Sequence, residues 1–155
     1  MPDRSPRIAA AELLVKVEQN AYSNIALDGA LRNSSYSRQE KAFISRLFYG
    51  VIERKFTLDY IISLYSSKPL HKLDNLVLVV LRMGIYQIVY MDSVPDNAAV
   101  NESVNMIKQL GKASAAAFVN AVLRSFLRSG KSYALPEDKI RRMSIEYSCP
   151  EKLTE

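Results

Sequence analysis

Tryptophan is missing from this chain of 155 residues, and cysteine and histidine occur once each, as Cys149 and His71. A lone thiol forms no internal disulfide, which fits a reducing, cytoplasmic setting rather than a secreted framework. One imidazole and one thiol leave a zinc site short of ligands, so no metal centre is expected. His71 follows Pro69 and precedes Lys72, and is expected as an exposed loop residue. Cys149 stands between Ser148 and Pro150 with no base near it in sequence, which argues against a nucleophile. The five glycines (Gly29, Gly50, Gly84, Gly111 and Gly130) are scattered. A phosphate-cradling loop needs clustered glycines to bring backbone N–H groups to the ligand, so neither a P-loop nor a dinucleotide fingerprint is present. Glu53, Asp59 and Glu102 show no acid–base pattern and are expected in solvated or capping roles. The longest apolar run, residues 76–81, ends at Arg82, far short of the roughly 20 residues of a membrane span. The opening MPDRSPRIAAAELL mixes charge with proline and lacks the apolar core of a signal peptide.

What remains is helical periodicity. Ser5 and Pro6 suit the cap and first turn of a helix carrying Ile8, Ala11, Leu14, Val15 and Val17. A second helix starts at Ser23 or Asn24, turns Ile25, Ala26, Leu27, Ala30 and Leu31 inward, and stops at Asn33-Ser34-Ser35. Ser37 with Glu40 forms a capping box for a third, with Phe43, Leu47, Phe48, Val51 and Ile52 on its apolar side. Residues 56–65 form a fourth, stopped by Lys68-Pro69. Residues 73–91 are apolar nearly all round and carry no turn signal, which predicts a central buried helix in which Leu76, Leu81, Ile85 and Ile88 are most enclosed. Gly84 within it admits a close neighbour. Asp96 or Asn97 caps the next helix, and Gly111 ends it. A helix over about residues 114–128 and a short one over 137–147 complete the pattern. The expectation is an all-α bundle of about seven helices around the 73–91 helix.

Residues 104–136 hold Lys108, Lys112, Arg124, Arg128 and Lys131 and no carboxylate. Their sum equals the whole chain's formal net charge of +5, so the excess sits in one block. Asn120, Arg124, Arg128 and Lys131 recur within about 80° on a helix, while Phe118, Ala121, Val122 and Phe126 can face inward. A one-sided basic stripe is a footprint for a polyanion, or simply a solvated face. Asn120 suits a base edge or a 2′-hydroxyl, or a packing role between helices. Asn101 and Glu102 lean toward capping, and Tyr22 and Tyr36 toward half-buried packing at bundle edges rather than base stacking.

Three strings, RQEKAFISRLFYGVIERKFTLDYII (38–62), VLRMGIYQIVYMDSVPDNAAVNESVNMIK (80–108) and FVNAVLRSFLR (118–128), are similar in order and spacing to the all-helical NusB-like RNA-binding domain. That domain occurs as a free transcription antitermination factor and as the N-terminal part of Sun/RsmB-type ribosomal RNA cytosine-C5 methyltransferases. The arginines of the last helix and the tail LPEDKIRRMSIEYSCPEKL (135–153) resemble the second setting. Only Arg4 and Arg7 stand where free factors carry an arginine-rich start. The resemblance implies an RNA-binding domain over 1–133 and a connector over 134–155 toward an absent methyltransferase domain, which supplies the S-adenosylmethionine chemistry. Cys149-Pro150 reverses the catalytic Pro-Cys order, so the chain by itself is expected neither to bind that cofactor nor to methylate. Ribosomal RNA and the catalytic domain are the implied partners, with Arg4, Arg7, Asn120, Arg124, Arg128 and Lys131 as RNA-binding candidates. The alternatives are the free antitermination factor and a protein-interaction module whose stripe docks on the catalytic domain.

Overall fold

Several helices begin at a side-chain cap or end at a glycine, as their local sequence directs. The computed structural model describes residues 4–18, 22–32 and 34–133; the expected 137–147 helix, the connector and Cys149 lie outside them. Seven α-helices, two 3₁₀ turns and no strand make up the described residues: α1 (Pro6–Glu18), α2 (Ser23–Arg32), α3 (Arg38–Glu53), α4 (Lys55–Tyr65), α5 (Asn75–Tyr90), α6 (Asp96–Gln109) and α7 (Ala116–Arg128). The Ser5 hydroxyl accepts from the Ile8 N–H at 3.3 Å, as a cap should. Ser37 and Glu40 close their capping box at 3.1 and 2.9 Å. Asp74 caps α5, accepting from the Leu76 N–H at 2.9 Å. Gly111 and Gly130 adopt φ of 85° and 77° and end α6 and α7 alike. The N–H groups of Lys112 and Lys131 reach back to Ile107 and Phe126 at 3.0 Å, the six-to-one bond of a left-handed helix stop.

α5 packs against α1, α3, α4, α6 and α7. Residues 79–88 are all buried, including Arg82 and Gln87. No helix among the described residues is long and apolar enough to cross a membrane. Gly84 is the close approach expected of it: a Cβ there would meet Leu123 and the Ser103 hydroxyl at 3.0 Å. Gly50 does the same between α3 and α5, where the Tyr86 ring occupies the space of a side chain.

Several sequence expectations are corrected. Leu81, Ile85 and Ile88 are buried, but Leu76 is only half-buried because it lies in the first turn of α5, at the rim of the bundle. In α2 Leu27 is buried, whereas Ile25 is 66% exposed and Ala30 lies outside. This helix packs on α1 alone among its stronger contacts, so one neighbour covers one narrow stripe. Ile52 and Ala121 are likewise exposed. Pro95, not Asp96 or Asn97, occupies the cap position of α6, leaving both side chains free to turn toward α7. Asn101 and Glu102 therefore sit within α6 and cap nothing.

Candidate nucleic-acid interface

α6 and α7 run side by side, and their exposed faces form a polar groove. Arg124 projects from α7 and donates from Nη1 to Asn97 Oδ1 at 2.9 Å and from Nη2 to Asn101 Oδ1 at 3.3 Å. Asn97 and Asn101 are one turn apart on α6, so they present their amide oxygens in line along one face. Arg128, one turn further on α7, is exposed and donates to its neighbour Ser125 at 3.1 Å. Asn120 is exposed rather than packed between helices, and Asn105 is exposed on α6.

Lys131 does not continue the stripe. α7 ends at Arg128, and Gly130 with Lys131 itself (φ 61°) reverses the chain beyond it. Its Nζ pairs with Asp96 Oδ2 at 3.0 Å. Lys112 pairs with Asp74 Oδ2 at 3.1 Å. Burial raises the Asp74 carboxyl, but the Lys112 ammonium and the two capping N–H groups outweigh it and hold it below the usual carboxylate range. The carboxylate-free block of sequence thus borrows two carboxylates from the starts of α5 and α6.

Arg4 and Arg7 belong to a different region. Arg4 is exposed, 3.7 Å from Glu12, and its carbonyl accepts from the Tyr36 hydroxyl at 2.6 Å. Arg7 is half-buried and lies over the Phe43 ring, with Nε donating to the buried Gln87 at 2.8 Å. Burial lowers the Arg7 pKa, and the Glu102 carboxylate opposes that shift. Arg7, Phe43, Gln39 and Glu102 line a cavity of about 310 Å³ between the starts of α1 and α3 and the middle of α6. Asn101 and Glu102 are successive α6 residues about 100° apart. Arg124 and Arg7 consequently approach α6 on two faces about 100° apart.

Sequence reasoning missed the cluster beneath α4. Arg82 in α5 is 5% exposed and grips Asp59 with Nε–Oδ1 at 2.7 Å and Nη2–Oδ2 at 3.1 Å. Its Nη1 reaches Glu18 at 3.3 Å, and Lys55 meets the same carboxylate at 3.0 Å. Asp59 is therefore paired, not solvated. The available signal was Arg82 itself, a charge interrupting an otherwise apolar helix. Among the described residues, no three His, Cys, Asp or Glu side chains gather as a metal site.

An all-helical bundle with a basic groove on one edge and carboxylate-paired arginine in its interior is the class these features define. The chain belongs to the NusB family, whose model matches residues 4–128. It is 39% identical over 155 residues to the probable ribosomal RNA small subunit methyltransferase B of Bacillus subtilis (strain 168), covering 99% of this chain and 34% of that protein. The corresponding protein of Synechocystis sp. is 34% identical over 140 residues, covering 88% of this chain and 31% of its own. The transcription antitermination protein NusB of Bacillus velezensis is 35% identical over 124 residues, covering 79% of this chain and 93% of its own. The chain thus spans about a third of the methyltransferases it matches and nearly all of that antitermination protein.

Proposed function

We propose that this chain is the RNA-docking, non-catalytic N-terminal domain of a small-subunit rRNA cytosine-C5 methyltransferase. The observation that carries this reading is the reach of the similarity. Alignment to the Bacillus subtilis methyltransferase takes in 99% of the chain, and so extends beyond Arg128 where the NusB family match stops. In this reading the domain holds folded rRNA, and a catalytic domain using S-adenosylmethionine modifies the cytosine. Arg124 and Arg128 meet phosphates, with Lys131 beside them and Arg4 and Arg7 contributing from the start of α1. Phosphate contacts of this kind position RNA more than they select sequence.

The antitermination factor is the second reading, favoured by the 93% coverage of the Bacillus velezensis protein. Sequencing the gene beyond codon 155 separates the two: a following domain with a cofactor loop and two catalytic cysteines supports the methyltransferase. A stop codon there overturns it. Titration of the purified chain with small-subunit rRNA tests the docking role directly. Saturable, salt-dependent binding supports it; no binding at low salt removes it. Calorimetry with S-adenosylmethionine is expected to show no binding to this chain alone.

A further inference from the structure

The groove between α6 and α7 holds more than cations. Asn97, Asn101 and Asn105 recur every fourth residue on α6, and all three are exposed. Across from them stand Asn120, Arg124 and Arg128, again every fourth residue. The two Arg124 bonds fix the register, placing Arg124 opposite the Asn97–Asn101 step. α7 returns antiparallel beside α6, so stepping back one turn to Asn120 moves forward one turn on α6. Asn120 thus lies opposite the Asn101–Asn105 step. α6 thus lines this groove with three amides, and α7 lines it with one amide and two arginines.

We propose that this groove seats a single RNA strand and distinguishes ribose from deoxyribose. The inference rests on the RNA-docking reading above and deepens it. Arg124 binds one phosphate as a preset fork. Asn97 and Asn101 are its positioning residues: they take hydrogens from both terminal nitrogens, fix the plane of the guanidinium, and leave its full charge unneutralised because amides carry none. Asn120 and Asn105, one turn along, are the polar groups nearest the sugar that follows. An amide offers both donor and acceptor, which matches a 2′-hydroxyl that does the same. A protein partner recognised through acidic side chains would use Arg124 and Arg128 but would have no need of the amide row.

The test uses a mixed-sequence RNA strand of about 12 nucleotides and its DNA counterpart, titrated at several salt concentrations. The intact chain should bind RNA more tightly than DNA. Asn120→Ala and Asn105→Ala should each lose about threefold to tenfold in RNA affinity, as expected for one hydrogen bond, and leave DNA affinity unchanged. Arg124→Ala should weaken both strands and flatten the salt slope by about 0.7. Arg124→Lys should keep the slope yet lose affinity, since the charge remains and the fork is gone. Asn97→Ala with Asn101→Ala should likewise lose affinity at unchanged slope. Thermal melts confirm that each variant is folded; the four asparagines are exposed and Arg124 is half-buried. Equal RNA and DNA affinity for the intact chain, or amide variants that bind RNA like the parent, overturns the inference while rRNA docking stands. Arginine variants that bind RNA normally but loosen association with a catalytic domain overturn it in favour of protein docking.

Discussion

Two arginines of this fold each span a pair of oxygen-bearing side chains, with opposite consequences. Arg82 lies inside and meets the carboxylates of Asp59 and Glu18. Arg124 lies at the surface and meets the amides of Asn97 and Asn101. The hydrogen-bond geometry is similar, but the electrostatics are not. Arg82 is neutralised by its partners, as a buried guanidinium must be. Arg124 is oriented and keeps its charge for something outside. An arginine's partners, more than its exposure, distinguish a charge spent on the fold from one left available for binding.

The comparison breaks first at Arg82. Arg82→Ala leaves Asp59 without its cation and Glu18 with Lys55 alone, and should cost about 3 kcal/mol in urea unfolding. Arg124→Ala loses two exposed bonds and should cost less than about 1 kcal/mol. Equal costs would show that Arg124 is a structural clasp between α6 and α7. Acid sharpens the same contrast. Burial raises the Glu18 carboxyl, but hydrogen bonds and attraction from Lys55 and Arg82 outweigh it and hold its pKa below the ordinary value. A group whose pKa is depressed on folding stabilises above its unfolded value, about 4.3 for glutamate. That stability is lost as pH falls through the lower folded value. Urea midpoints should therefore fall more steeply below about pH 4.3 in the parent than in Glu18→Gln. Arg124→Ala, which removes no carboxylate partner, should leave the pH profile unchanged.

A smaller effect is expected at Asp74, which both caps α5 and pairs with Lys112. Asp74→Ala should cost about 1 kcal/mol, the usual worth of a helix cap. Asp74→Asn should recover much of that, because an asparagine caps nearly as well and the exposed ion pair contributes little. A full loss in the asparagine variant would mean that the Lys112 pair, and not the cap, holds the start of α5.

The helices were legible because their signals are local: the Ser37–Glu40 box, Gly111 at a stop, and an apolar stretch too long for a strand. Gly84 was legible as a close approach for the same reason. Gly50 was not, since its requirement comes from Tyr86, far along the chain. Periodicity also misjudged α2, where Ile25 fits an apolar face that no second helix arrives to cover. At the groove, spacing put Arg124 and Arg128 on one face and carried Lys131 along with them. Spacing has no knowledge that Gly130 breaks the helix, nor that Asp96 waits across the gap. The amide partners of Arg124 were invisible because helix register between α6 and α7 is a tertiary fact. Asn101 read as a cap and Asn120 as a packing residue or an RNA contact, and neither role pointed to Arg124.

The smallest predicted effect tests whether Lys131 is spent or available. Its ammonium sits 3.0 Å from Asp96, and both side chains are partly exposed. An exposed pair of this kind is worth at most about 1 kcal/mol, so an incoming phosphate can compete with the carboxylate. Asp96→Asn removes the competitor and adds one net positive charge beside Arg124. Folding stability should move by less than about 0.5 kcal/mol. RNA affinity should rise by about twofold to fivefold at low salt, since one near-surface charge is worth a fraction of a fully formed phosphate contact. The gain should fade at high salt, where a Debye length of about 3 Å screens it. If affinity is unchanged at low salt, Lys131 lies outside the RNA path and the interface ends at Arg128. If affinity falls, the carboxylate was holding Lys131 in place for the RNA, and Asp96 stands to Lys131 as Asn97 stands to Arg124.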